Sequence, residues 1–238
     1  MRRMLILCFL ASALAARAQE PADAILQQME RTYAAMHSYS DTSTVSFRNP
    51  DNNPGAQVEF KIWFARPRFF RIDATTHAAP DASPKREVMW FDGEMARMWS
   101  TTSPVLTRSN VQLAGSKMFG TYAYHIPTLL EASFGGPQRL HQLTSPELVG
   151  DEAVDEVECD HVRGKWLSDS YDVWIGKSDH LVRKIVANYS GYVMEETHRE
   201  IKVDEPIDPG VFRFAPEEEG GAKKATPPPR LPGEHRRP

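Results

Sequence analysis

Several things this chain lacks narrow what it can be. It has two cysteines, Cys8 and Cys159. Cys8 falls inside an N-terminal apolar run that reads as part of an export leader. It follows Leu7, whereas a lipid-modified cysteine needs a small residue before it. The exported part therefore keeps one thiol, and no intrachain disulfide is expected even in an oxidising compartment. Long apolar runs are also missing: nothing after the leader approaches the ~20 consecutive apolar residues of a spanning helix, so a chain that does not cross the membrane is expected. There is no basic excess. Lys and Arg number 28 against 32 Asp and Glu, a formal net charge of −4, and loss of the leader with Arg2, Arg3 and Arg17 makes the remainder more acidic. That balance argues against nucleic acid as a partner. Finally there is no glycine-rich phosphate loop, no Gly-x-Ser-x-Gly turn and no histidine pair at helical metal spacing, so no catalytic residue, cofactor or metal site is expected.

The N-terminus reads as an address. Arg2 and Arg3 precede the apolar run Met4 to Leu10, and Ala16-Arg17-Ala18 supplies small residues before a cleavage point. The expected division is a cleaved leader over 1–18, one folded domain over 19–216 and a Pro-rich disordered tail over 217–238, where Glu217-Glu218-Glu219 leads into Pro227-Pro228-Pro229. Export is expected to place the product outside the cytoplasm. Within the domain, Ile25, Met29, Tyr33 and Met36 recur at helical spacing over 21–36. Short strands follow over 42–48, 57–65, 68–75, 87–91 and 95–100, the fourth and fifth joined at Asp92-Gly93, a tight hairpin signal. The stretch 118–134 carries Ile126, Leu129, Leu130 and Phe134 at helical spacing around Pro127. Strands resume over 140–148, 153–166, 170–175, 181–189 and 192–203. The expected class is α+β, with neighbouring strands antiparallel.

One strand carries most of the information. Val58, Phe60, Ile62 and Phe64 occupy alternate positions and Arg66 continues their parity, so a pleated strand presents an apolar row ended by a guanidinium. That suits an apolar pocket with one strong donor at its mouth. An ordinary half-buried strand whose Arg66 reaches solvent has the same pattern. Phe70 and Ile72 continue the row on the next strand. Phe91 and Met98 are further candidates for its wall, although apolar residues around them fall on both parities. Cys159 and His161 share a strand face, yet two ligands make an incomplete metal site, and a buried thiol beside a packed imidazole explains them as well.

The segment Ile62-Trp63-Phe64-Ala65-Arg66-Pro67-Arg68-Phe69-Phe70-Arg71 resembles the Leu-Trp-x-x-Arg-Pro-x-x-Phe motif of the LolA family of periplasmic lipoprotein carriers. Trp90-Phe91-Asp92-Gly93 with Met98-Trp99 is similar to that family's Asp-Gly hairpin, and Val211-Phe212-Arg213-Phe214-Ala215-Pro216 to its closing Phe-x-Phe-x-Pro. The later half, with Cys159-Asp160-His161 and Val173-Trp174-Ile175, is more similar to uncharacterised predicted periplasmic proteins of the same superfamily. The resemblance implies a strongly curved antiparallel sheet, an incomplete barrel, with an N-terminal helix and short lid helices over its concave face. It further implies acyl chains of a lipoprotein or lipid as the cargo of that face, with Leu129 and Leu130 on the lid and Arg66 holding it closed through backbone carbonyls. A carrier without covalent chemistry is the first expectation. An envelope sensor of the same fold, which binds a lipid-bearing signal and a protein partner, is the alternative, an enzyme using Cys159 and His161 is a third, and a structural β protein with a well-filled core is a fourth.

Overall fold

A computed structural model of the chain describes residues 21–78, 82–108, 125–134, 140–189 and 191–216. The expected leader, the expected tail and residues 118–124 of the expected helical stretch lie outside the described residues. Helix α1, residues 21–35, buries Ala22, Leu26, Met29 and Tyr33 along one stripe, as a 3.6-residue repeat dictates, with Ile25 at its margin.

The strands are β1 (Ser38–Arg48), β2 (Pro54–Ala65), β3 (Phe69–His77), β4 (Lys85–Asp92), β5 (Ala96–Ser100), β6 (Ser103–Arg108), β7 (Thr144–Val154), β8 (Val157–Trp166), β9 (Asp169–Gly176), β10 (Val182–Tyr189) and β11 (Tyr192–Val203), with helix α2 (His125–Leu130) between β6 and β7. They form one 11-stranded sheet in the order β6-β5-β4-β3-β2-β1-β11-β10-β9-β8-β7. All pairs are antiparallel. Two meanders thus meet in the middle, where the first and last strands pair with Thr44 opposite Thr197.

This corrects the expectation of a strongly curved, barrel-like sheet. The sheet is open and not strongly curled, and β6 and β7 are its two end strands, each paired with one neighbouring strand of the sheet. The physical reason lies in the connectivity. Each hairpin adds a strand outward from the central β1–β11 pair, so the growing ends move apart. The apolar face is covered by α1 and α2 instead of by the sheet folding onto itself.

Parity decides what that face contains. On β2, Val58, Phe60, Ile62 and Phe64 are buried while Glu59 and Lys61 are exposed. Across β3, Phe70 stands opposite Phe64 and Ile72 opposite Ile62. All six join one core with Leu26, Met29, Tyr33, Ile126, Leu129 and Leu130. On β4 four consecutive residues, Val88 to Phe91, are buried because both faces are covered. Met89 and Phe91 join the core beneath the helices. Val88 and Trp90 point to the other face, where Phe214 and Trp99 close a second, smaller cluster. This two-sided burial is why the apolar residues near Phe91 and Met98 follow no single parity.

Candidate functional site

Arg66 follows the last residue of β2, and its backbone N–H still donates to the His37 carbonyl (2.8 Å), which continues the ladder by one step. Its side chain is thereby aimed back along the covered face. Nε donates to the Met36 carbonyl (2.8 Å), and Nη2 donates to the carbonyls of Ala34 (2.7 Å) and Leu130 (2.9 Å). These acceptors lie at the C-terminal ends of α1 and α2, where carbonyls lack helical partners and the helix dipole is negative. One guanidinium therefore satisfies orphan acceptors of two helices with charge-assisted bonds. Glu131 Oε2 stands 3.8 Å from Nη1, and the guanidinium carbon lies 5.2 Å from the centre of the Phe64 ring.

Beside this clamp the apolar row is packed. Phe134, in the single turn after α2, meets Phe70 at 4.4 Å between ring centres and Phe64 edge-on at 6.3 Å. Phe60, Ile62, Phe64, Phe70 and Ile72 are almost wholly buried, Phe91, Leu129 and Leu130 are buried, and Met98 is half-buried at the rim of the same cluster. The ten residues expected to form the site do lie together, around one core and one clamp. A cleft of about 250 Å³ lies on the opposite face, lined by Glu59, Lys61, Trp63, Asp73 and Thr75 among others.

The sequence reading missed a buried ionic cluster in the middle of the covered face. Asp41 on β1, Glu196 and His198 on β11, and His125 at the start of α2 are each no more than 1% exposed along their side chains. His125 Nδ1 is 2.6 Å from Glu196 Oε2, and His198 Nδ1 is 2.7 Å from Asp41 Oδ2. His198 Nε2 faces Glu196 Oε1 at 3.1 Å. Tyr39 donates to Asp41 Oδ2 (2.8 Å), and Ser43 Oγ reaches the same oxygen (2.9 Å). Burial alone would lower the His198 pKa, but Asp41 and Glu196 outweigh it and push it up to about 9. Burial alone would raise the Glu196 pKa, but the two imidazoles hold the carboxyl down at about 2. A signal for the cluster existed. Asp41 and Ser43 share the parity of Tyr39 and Val45, and Glu196 and His198 that of Met194, so ionisable side chains occupy core positions.

Ser43, His198 and Asp41 do not make a nucleophile triad. Ser43 Oγ and the carboxylate both sit at Nδ1 of His198, whereas a triad needs them on opposite ring nitrogens. Cys159 and His161 do not work together either. The Cys159 thiol donates to the Val157 carbonyl (3.3 Å), and burial pushes its pKa up. His161 lies between Asp172 (Nε2, 2.6 Å) and Glu152 (Nδ1, 3.1 Å), stacked on Trp174 with ring centres 4.2 Å apart. Among the described residues no group of three or more His, Cys, Asp and Glu side chains is arranged to hold a metal ion, and no helix is long and apolar enough to cross a membrane.

A family model described as predicted periplasmic protein (DUF2092) matches residues 22–220. No curated protein matches the chain. Among solved structures, LprF from Mycobacterium bovis is 13% identical, with 79% of this chain and 95% of that one covered at a TM-score of 0.52. The lipoprotein LppX of Mycobacterium tuberculosis is 12% identical over 79% and 98% at 0.49. The Pseudomonas aeruginosa MucA/MucB complex is matched at 10% identity over 82% and 61% at 0.46. At such identities the likeness is one of fold, and the LprF match establishes it.

Proposed function

The chain belongs to the DUF2092 family of predicted periplasmic proteins, and from that premise we propose that it is a periplasmic sensor of the envelope. It takes a lipid-bearing signal against the apolar face of its sheet beneath α2 and transmits the occupied state to a protein partner, without covalent chemistry. The observation that carries this reading is the clamp of Arg66 on the carbonyls of Ala34, Met36 and Leu130. An acyl chain reaches Phe60, Ile62, Phe64, Phe70 and Ile72 only after α2 has lifted, and Arg66 is a bond that lifting must break. Burial of acyl carbon contributes about 0.8 kcal/mol per methylene, so a few methylenes offset the loss of such a clamp.

Two features favour a sensor over a shuttle. The row is filled by the protein's own side chains, Phe134 among them, so the closed state is complete without cargo. A ligand then shifts an equilibrium between two packed states, which is what a switch requires. The ionised cluster of Asp41, Glu196 and His198 also lies on the same face, and charge is poor flooring for an acyl chain. A carrier that escorts lipoprotein or lipid acyl chains across the envelope is the second reading, favoured by the length of the apolar row, which continues through Phe91 and Met98 in the same core as Leu129 and Leu130.

Native purification of the full chain, mass spectrometry of its organic extract and cross-linking in the intact envelope separate the two. A sensor should yield one stable protein partner and lipid well below one per chain. Stoichiometric lipid without a stable partner would overturn the sensor in favour of the carrier. Arg66→Leu should increase uptake of an environment-sensitive apolar dye while the circular dichroism stays unchanged, and unaltered uptake in that variant would remove the clamp as a gate.

A further inference from the structure

We infer that α2 is pinned at both ends, and that the buried pair His125–Glu196 is the hinge about which it swings. This rests on the reading of α2 as a lid. Arg66 holds the C-terminal end through the Leu130 carbonyl. At the other end, five residues back, His125 Nδ1 meets Glu196 Oε2 on the central strand β11 at 2.6 Å.

The two pins differ in how they can be released. The Arg66 side chain is 31% exposed and has Glu131, 27% exposed, beside it, so a ligand or partner at the surface can compete for it. His125 and Glu196 are each 1% exposed. The imidazole is covered by the Tyr171 ring, edge-on at 5.9 Å, and Glu196 is held from behind by His198, itself bonded to Asp41. Breaking that pair strands a buried carboxylate, which is far costlier than exposing a surface guanidinium. Release therefore begins at Leu130 and the movement is a swing, not a detachment. It uncovers the face near Phe64 and Phe70 first, as Phe134 leaves with the lid, and keeps the ionic cluster sealed. A buried polar pair of this kind adds little net stability compared with apolar packing, but it fixes one geometry, which is the property a hinge needs.

Hydrogen exchange on the full chain tests the hinge. The Glu131 amide, which donates to the Pro127 carbonyl (3.0 Å), and the Phe134 amide, which donates to the Glu131 carbonyl (3.0 Å), report on the lid. Arg66→Leu should speed exchange of both by roughly tenfold or more, the loss expected for a charge-assisted bond. Adding His125→Phe to Arg66→Leu frees the second end as well, so that the swing becomes a detachment and exchange should quicken by roughly a further tenfold or more, while His125→Asn, whose amide nitrogen stands where Nδ1 stood, should restore most of the protection. Glu196→Met, of similar length but without the acceptor oxygens, gives a second route should His125→Phe fail to fold, and the same acceleration is expected from it. The hinge is overturned if the His125 and Glu196 variants leave lid exchange at the level of Arg66→Leu alone. If Arg66→Leu itself changes nothing, the lid reading has failed and the hinge with it.

Discussion

His198 sits between two carboxylates at the centre of the covered face, and its ionisation sets a pH dependence that can be worked out in sign. Its pKa is raised from 6.5 to about 9, so its stabilising contribution is complete below pH 6.5 and is lost as pH rises through 9. The Glu196 pKa is lowered from 4.5 to about 2, so its contribution is complete above pH 4.5 and is lost as pH falls through 2. Both are intact only between those limits, and urea unfolding midpoints should peak from pH 4.5 to 6.5. His198→Gln should flatten the alkaline limb, whose full height is about 3 kcal/mol, and a limb unchanged in that variant would assign it elsewhere. A second residue bears on chemistry. The Cys159 thiol is wholly buried with its pKa pushed up by that burial, so in the folded state at neutral pH it should label far more slowly with iodoacetamide than in urea. Equal rates in the two states would reopen the enzyme reading. The Arg66 row was legible because a strand's period of two converts spacing directly into a face. The ionic cluster was not, since alternation was read through apolar residues alone, and Asp41 and His198 hold their core positions by pairing across β1 and β11, distant in sequence.

Among the elements, the segment 209–216 has a larger part than its length suggests. Phe214 lies against Trp90 (5.1 Å between ring centres) and Trp99 (5.4 Å), with the guanidinium carbons of Arg71 and Arg86 at 4.9 and 5.6 Å from its ring. Arg71 also donates to the Val211 carbonyl (3.0 Å), and both arginines hold Asp73. Without this cover, Val88 and Trp90 would face water. Phe214→Ala should therefore destabilise by about 3 kcal/mol, read as a lowered urea midpoint, with the Arg66 clamp on the other face untouched. A shift under 1 kcal/mol would mean the segment is only loosely laid down. Several elements were plain in the sequence: β11 falls on the expected 192–203, and Asp92-Gly93 does close a hairpin between β4 and β5, with Gly93 at φ 94°. Others were hidden for identifiable reasons. β6 begins Ser-Pro, and its short run carries no clear alternation. The turn between β7 and β8 was missed because Asp155 and Glu156 take positive φ values of 46° and 68° without the glycine or asparagine that usually marks such a turn.

For the molecule as a whole, closure was the property the sequence could not supply, because it depends on whether two distant ends pair, and no local pattern encodes that. β6 and β7 do not pair with each other, so among the described residues they are the edge strands, and edge strands invite other strands. Both are guarded. β6 is six residues long and carries Pro104, which has no N–H to offer. β7 carries Pro146 with Glu147, Asp151 and Glu152, and its pairing with β8 is broken by two register shifts, between Thr144 and Glu147 and between Leu148 and Gly150. A partner that docks by adding a strand would find few well-aligned groups on either edge. The same architecture predicts a gradient of stability. Native-state hydrogen exchange should be slowest in β1, β2 and β11, flanked on both sides and locked by the Asp41–His198 pair, and should quicken outward to β6 and β7. A closed or strongly rolled sheet would instead protect all strands alike. Uniform slow exchange in β6 and β7 would mean that their edges are covered in solution, either by each other or by a second chain, and sedimentation of the same sample would tell which.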